Sequence, residues 1–335
     1  MRRLSVTVER WPLKEPFVIS RLEPMLHGEV VVVEIEQDGL VGRGECERSD
    51  VFEPGYPPVV EAIERVRAAI EAGAGRESLL QLMPAGCARN AVDCALFDLE
   101  AQQLGVPGWR LAGLAQAPAA VTTVFTLSLD TAPNMAAVAA ANRHRPLLKL
   151  KLGREGDVER VAAVRAAAPD TRLIIDANTG WSLEQLKDYL PKLAALGVEL
   201  IEQPLPPGQD HLLEGLTPIV PIAADESCLD RSSLPELMGR YQVVNIKLDK
   251  TGGMTEALEL AKAAREQGFE IMVGCMIGTS LAMAPALLLA QQARWVDLDG
   301  PLLLSRDRDD GLRYEGSTIH PSAGGIWGKP QTRPV

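Results

Sequence analysis

The chain has 335 residues, 46% hydrophobic and 24% charged, the balance of an ordinary soluble globular protein long enough for two domains or for one barrel with an appendage. A formal net charge of -11 would repel nucleic acid and an anionic membrane surface, so neither is expected as a partner. Five scattered cysteines, Cys46, Cys87, Cys94, Cys228 and Cys275, form no CxxC pair and fit reduced thiols better than a disulfide frame or a zinc site. The opening MRRLSVTVERWPLKEPF has no apolar run after its arginines, so no secretory signal is expected. The most apolar run, SLAMAPALLLA from Ser280, is too short to span a bilayer, and a cytoplasmic protein is the expectation.

Up to about residue 115 the pattern is strands followed by helices. In VVVVEIEQDGLVGRGE, from Val30, Asp38-Gly39 separates two strand-like runs and predicts a hairpin. Its GRGE resembles part of a dinucleotide fingerprint, but no helix starts there and the third glycine is missing. RNAVDCALFDLEAQQLG predicts an amphipathic helix closed by Gly105. From Ala120 a short apolar strand and an amphipathic helix alternate. The strands are VTTVFTLSL, LLKLKL, RLIIDAN, LIEQPL, PIAADES, VVNIKLDK, EIMVGCM and WVDLDG. In the helix SLEQLKDYLPKLAALG, Ser182 and Gln185 make a capping box, and Leu183, Leu186, Leu190 and Leu193 share a face. Repeats of about 25 residues of this kind predict a parallel barrel. After Gly300 the chain turns polar, so the eighth helix is missing. The predicted fold class is therefore α/β: a (β/α)7β TIM-like barrel over residues 118–305, with an α+β capping domain over 1–117 to which the segment 306–335 returns.

Barrels of this kind place their active sites at the carboxyl ends of the strands. Alternation along LLKLKLG puts Lys149 and Lys151 on one face and Leu148, Leu150 and Leu152 on the other. Asp176, Glu202 and Asp225 then end three consecutive strands at matching depth. Singly, each has a plain explanation: a helix cap, a pair with a neighbouring lysine, a bound turn. Together they require a cation, because converging buried carboxylates cannot all stay ionised. A hard divalent ion with oxygen ligands, one octahedral Mg²⁺ per subunit, meets that need. The histidines His27, His144, His211 and His320 fall elsewhere and are read as structural, so zinc is not expected. Strands two and six of a barrel lie across from one another, which makes Lys151 and Lys247 opposed acid/base groups, with Lys149 as the neighbouring ammonium that lowers the pKa of Lys151. Asp297 and Asp299, two apart on the last strand, suit an ammonium ion; the plainer alternative is an ion pair with Arg294 or Arg306.

The set KLK, DAN, EQP, ADES and NIKLDKTGG resembles the muconate-lactonizing-enzyme subgroup of the enolase superfamily over essentially the whole chain. DLDG at Asp297 narrows the likeness to dipeptide epimerases, in particular those acting on L-Ala-D/L-Glu. The resemblance implies that Asp176, Glu202 and Asp225 bind Mg²⁺, that Lys151 and Lys247 exchange the α-proton of the second residue through an ene-diolate, and that Asp297 and Asp299 bind the dipeptide ammonium group. It also likens FVISRLEPMLHGE to a specificity loop. There Arg21 would meet a glutamate side chain or stand solvated, and Met25 and Leu26 leave room for a hydrophobic second residue. Thr126 completes the expected substrate-binding set. The implied setting is murein peptide recycling, with a homo-oligomer left open. Rival readings are a cycloisomerase or o-succinylbenzoate synthase-type lyase on the same scaffold, and a binding protein that keeps the metal site.

Overall fold

Strands β1 (Arg3–Phe17), β2 (Met25–Gln37) and β3 (Leu40–Glu47) form an antiparallel sheet at the start of the chain. The computed structural model describes residues 1–52, 58–321 and 325–329. Gln37 pairs with Leu40 across Asp38-Gly39, whose φ angles of 54° and 80° are those a tight hairpin needs and this dipeptide tolerates. The GRGE segment is part of β3. A Cβ on Gly42 or Gly44 would stand 2.1 Å from the carbonyl oxygen of Ala95 or Ala91, so both glycines serve the close approach of helix Cys87–Leu104. That helix ends on Gly105 in the left-handed conformation, as expected. It is not amphipathic in the structure. Every residue from Arg89 to Leu99 is buried, because the sheet covers one side and the barrel the other.

The barrel runs in chain order through β5 (Phe125–Leu127), β6 (Leu147–Lys151), β7 (Arg172–Asp176), β8 (Val198–Glu202), β9 (Ile222–Ala224), β10 (Val243–Ile246), β11 (Glu270–Gly274) and β12 (Trp295–Asp297), all parallel. The seam is drawn together where Val124 N–H donates to Val296 O and Leu298 N–H to Thr123 Oγ1, both at 2.9 Å. The predicted capping box joins Ser182 and Gln185; Leu186, Leu190 and Leu193 are buried beneath it, and Leu183 only partly.

One buried residue from each strand position fills the floor: Val124, Leu147, Ile174, Leu200, Ala223, Val243, Met272 and Trp295. Because a strand repeats its facing every second residue, the next inward positions are Lys149, Asp176, Glu202, Asp225, Asn245, Gly274 and Asp297. The floor thus fixes which side chains point into the mouth.

After β12 the chain makes one helical turn, Gly300–Leu303, in place of an eighth helix. Strands β13 (Arg313–Glu315) and β14 (Thr318–His320) then pair with each other, and β14 pairs with β4 (Val121–Thr122), which lies just before the barrel. Farther on, Trp327 stacks on Phe97 at 5.4 Å, and Gly328 N–H donates to Asp98 Oδ1 at 2.8 Å. The tail therefore touches both the barrel seam and the helix that carries the N-terminal sheet.

If the helix rests directly on β3, Gly44→Val forces backbone apart and should cost about 3 kcal/mol of unfolding free energy or more. Gly39→Asn, at a turn with nothing within 4 Å of a Cβ, should cost little. Thermal unfolding of the two variants compares them directly; equal shifts would contradict this packing.

Candidate active site

The strand ends bring Asp176, Glu202 and Asp225 together, with one carboxylate oxygen of each within 4.8 Å of the others. All three are buried. Lysines stand on both flanks. Lys151 Nζ donates to Asp176 Oδ2 at 2.6 Å from the β6 side, and Lys247 Nζ donates to Asp225 Oδ2 at 2.6 Å from the β10 side. Lys149, two residues below Lys151, is fully buried. Its Nζ lies 2.6 Å from Glu202 Oε2, 2.6 Å from Asp297 Oδ2 and 3.3 Å from Asp176 Oδ2. It links the carboxylates of the triad to the acid on β12.

Asp297 ends β12, but Asp299 lies beyond the strand, where it precedes the turn Gly300–Leu303. The two share the cavity through this turn rather than through strand alternation. Asp299 Oδ2 accepts the Thr126 N–H at 2.6 Å, so Thr126 enters the site as a holder of Asp299. The alternative partners are engaged elsewhere: Arg294 bonds Glu270, and Arg306 stacks over Trp11. Arg21, in the connection between β1 and β2, lines the same cavity as Lys151 and Lys247, and its Nη2 is 3.4 Å from Glu226 Oε1. Phe17, Ile19, Leu22 and Met25 give that wall an apolar surface.

Three further groups were not anticipated. Asn245 Nδ2 donates to Glu202 Oε1 at 2.7 Å, and Lys250 Nζ donates to Asp225 Oδ1 at 2.5 Å. Glu226, next to Asp225, has a buried Oε2 without a hydrogen-bond partner. Asn245 could have been found, since it stands two residues before Lys247 on the same strand face. Lys250 comes from the following turn, which strand periodicity does not describe.

Burial opposes the charge of Asp176, Glu202, Asp225 and Asp299, and its balance against the neighbouring charges differs among them. Lys151 and Lys149 outweigh burial at Asp176 and hold it at about 2. Lys247 and Lys250 do the same for Asp225, well below the usual carboxylate range. Glu202 goes the other way: burial and then Asp176 push it up to about 8 despite Lys149. Burial and Asp297 lift Asp299 to about 7. For Lys149, burial is outweighed by Asp297, Glu202 and Asp176, so its ammonium form is favoured and its pKa stands well above an ordinary lysine's. Glu202 Oε2 is buried and makes no aligned hydrogen bond even to Lys149, which leaves a lone pair directed into the cluster. An oxygen of this kind, between two other carboxylates, fits a hard divalent cation.

A parallel barrel with a carboxylate triad at its mouth and amines on opposite flanks defines a class, the barrel enzymes that move a proton beside a bound cation. Residues 132–325 match the family described as "Enolase C-terminal domain-like", and residues 1–113 match "Mandelate racemase / muconate lactonizing enzyme, N-terminal domain". The chain belongs to this mandelate racemase/muconate lactonizing enzyme family of the enolase superfamily. The L-Ala-D/L-Glu epimerase of Escherichia coli (strain K12) is 44% identical over 322 residues, 96% of this chain and 100% of that protein. An N-acetyl-D-glutamate racemase from Pseudoalteromonas sp is 48% identical over 250 residues, 75% of this chain and 79% of the relative. Among solved structures, an enolase family member from Agrobacterium tumefaciens with homology to dipeptide epimerases, with bound sodium and L-Ala-L-Glu, superposes with a TM-score of 0.93 at 46% identity, covering 98% of this chain and 100% of that one. The dipeptide epimerase from Enterococcus faecalis V583, complexed with Mg and L-Leu-L-Tyr, gives 0.88 at 30% identity over 97% and 99% of the two chains.

Folded Glu202 holds its proton up to about pH 8, whereas the unfolded side chain releases it near ~4.3. Without a cation, its contribution to stability is complete below ~4.3 and is lost as pH rises through 8. A divalent cation entering at pH 7 should therefore expel about one proton. Titration calorimetry in two buffers of different ionisation enthalpy measures this, and Glu202→Gln should remove most of the release. Cation binding with no proton release in the unaltered protein would contradict the charge arrangement described.

Proposed function

We propose that the protein is a magnesium-dependent dipeptide epimerase that inverts the α-carbon of the second residue, with L-Ala-D/L-Glu as the favoured substrate. The observation that carries this reading is the pair of lysines, Lys151 and Lys247, on opposite flanks of one carboxylate triad. Asp176, Glu202 and Asp225 would hold the Mg²⁺. When bound there, Mg²⁺ stabilises negative charge on the substrate carboxylate as its α-proton leaves.

The remaining work falls to the side chains. Lys151 and Lys247 each donate to a carboxylate of the triad, Asp176 and Asp225 respectively. With that carboxylate charge drawn toward a cation, either amine would be available to act as a base. One lysine takes the proton from its face and the other returns one from the opposite face, so the centre inverts. Lys149 stays charged between Glu202 and Asp297 and keeps that side of the cluster neutralised. Asp299 holds its proton near neutrality in the structure's own charge field. An arriving ammonium group would favour its ionised form, which suits Asp299, with Asp297, to the dipeptide amino terminus. Arg21 on the cavity wall suits the glutamate side chain.

Five free cysteines support a reducing compartment, the cytoplasm, and peptides from murein turnover would supply the substrate there. The contact of Trp327 with Phe97 supports a division into a cap of residues 1–117 and 306–335 and a barrel of 118–305, of which 53–57, 322–324 and 330–335 lie outside the described residues. A second reading follows from the 48% identical Pseudoalteromonas relative: the same proton transfer on an N-acyl glutamate, which carries no ammonium for Asp297 and Asp299.

In D₂O with Mg²⁺, L-Ala-L-Glu should gain deuterium at the glutamyl α-carbon as its diastereomer accumulates. Lys151→Ala and Lys247→Ala should each abolish epimerisation while one epimer, a different one for each variant, continues to exchange. Exchange of N-acetylglutamate without exchange of any dipeptide would replace the first reading with the second. Arg21→Met should raise KM for L-Ala-L-Glu by roughly tenfold or more, the scale of a lost charge-assisted hydrogen bond. A dipeptide with a neutral second residue should be affected much less; equal effects on both would remove Arg21 from substrate recognition.

A further inference from the structure

The TGG motif that follows Lys247 has no part in the chemistry above, yet its turn is held by side chains and backbone at the contact between sheet domain and barrel. Lys247 precedes a one-turn helix, Leu248–Thr251, and its carbonyl oxygen accepts the N–H groups of Lys250 and Thr251, both at 3.0 Å. A single turn has no further turn to satisfy its last carbonyls. Arg89, buried on helix Cys87–Leu104, supplies the donors: Nη2 to Thr251 O at 2.6 Å and Nε to Gly252 O at 3.1 Å. Its third donor, Nη1, is fixed on Met83 O at 3.1 Å. On the other side of the turn, Asp249 Oδ1 accepts the N–H of Glu47, at the end of β3, at 3.1 Å.

Sterics support the same assignment. Gly252 and Gly253 have φ of 72° and 110°. A Cβ on the first would lie 2.4 Å from Arg89 Nε, and one on the second 2.4 Å from Asp93. The two glycines are thus required by side chains of the capping helix, not only by the turn itself. The turn also carries Lys250, which bonds the same carboxylate as Lys247. Moving it would shift two amines relative to Asp225 at once.

We propose that Arg89 is a positioning residue for Lys247: from the capping helix it closes the carbonyl end of the turn and so fixes the lysine's approach to one face of the substrate. The proposal rests on the epimerase reading for its catalytic consequence, while its structural half stands without it. Lys151, on β6, receives nothing from Arg89. Loss of Arg89 should therefore damage one face of the reaction and spare the other, which general loosening of the cap would not do.

The test compares Arg89→Met and Arg89→Lys with the unaltered protein. Lys247→Ala first identifies the epimer whose α-proton exchange depends on Lys247. Arg89→Met should slow exchange from that epimer at least tenfold, the scale of a misplacement by about an ångström. Exchange from the other epimer should stay within about twofold. Arg89→Lys, which keeps a cationic donor and serves if the Met variant does not fold, should show the same asymmetry in weaker form. Arg308→Gln is the control, because Arg308 also ties the sheet to the barrel but at Thr279. Equal loss for both epimers, no loss, or the same asymmetry in the Arg308 control would overturn the proposal. Amide hydrogen exchange decides the structural half without substrate. Residues 247–253 should exchange faster in Arg89→Lys while 147–153 do not, and unchanged protection of 247–253 would overturn it. Unaltered protein that exchanges no dipeptide α-proton would defeat the epimerase reading, with the amide result still deciding the clamp.

Discussion

The structure is organised around one electrostatic problem, the compensation of buried charge at the mouth of the barrel. Asp176, Glu202, Asp225, Asp297 and Asp299 face the amines of Lys149, Lys151, Lys247 and Lys250, all within a shell of buried side chains. With five acids against four amines, full ionisation leaves negative charge unmatched in a medium that does not screen it. The elevated values at Glu202 and Asp299 express that imbalance as retained protons. A divalent cation and a substrate ammonium group would remove it by another route. The same imbalance would account together for a cation at the triad and for an ammonium group at Asp297 and Asp299.

Such a cluster is tolerable only on a rigid support. The floor beneath it, one side chain per strand with Trp295 as the largest, excludes water and sets each strand's register. A slip of one residue in β6 would send Lys149 and Lys151 outward among the helices and bring Leu148 and Leu150 into the acids. Register and charge compensation therefore select the same arrangement, and the apolar floor and the polar mouth stabilise one register together.

This coupling explains which parts of the site were legible in the sequence. Strand period places Lys149, Lys151, Asp176, Glu202 and Asp297 correctly relative to one another, because each lies two or four residues above a floor residue. Asn245 obeys the same period and stood outside the reading only because a neutral side chain on an apolar strand draws no attention. Asp299 departs from it, since the strand ends at Asp297 and a turn brings the second acid back. Lys250 and Arg89 were beyond reach for a different reason: one acts from a helical turn, the other across a domain contact of long sequence separation. The helix Cys87–Leu104 was recognised, but its burial on both sides depends on two layers that no single periodicity reports. Gly42 and Gly44 looked like half of a nucleotide motif, and only the helix lying on them shows their use.

The absent eighth helix is the last element of this logic. With a single turn after β12, the chain is free to cross to the sheet domain, and Arg308 meets Glu45 Oε2 at 2.7 Å, Glu9 Oε2 at 2.7 Å and Thr279 Oγ1 at 2.7 Å. Glu45 also accepts the Thr279 N–H at 2.7 Å, so the loop after β11 is held by the sheet as the turn after β10 is held by Arg89. Arg21 and Glu226 make a third crossing, at the loop after β9. Each crossing grips the segment just past a barrel strand, where side chains are already aimed at the cluster and their backbone has left the ladder that fixed it. The sheet domain thus supplies the order that hydrogen-bonded strands no longer provide. A conventional eighth helix would occupy the path that lets Arg308 contribute to it.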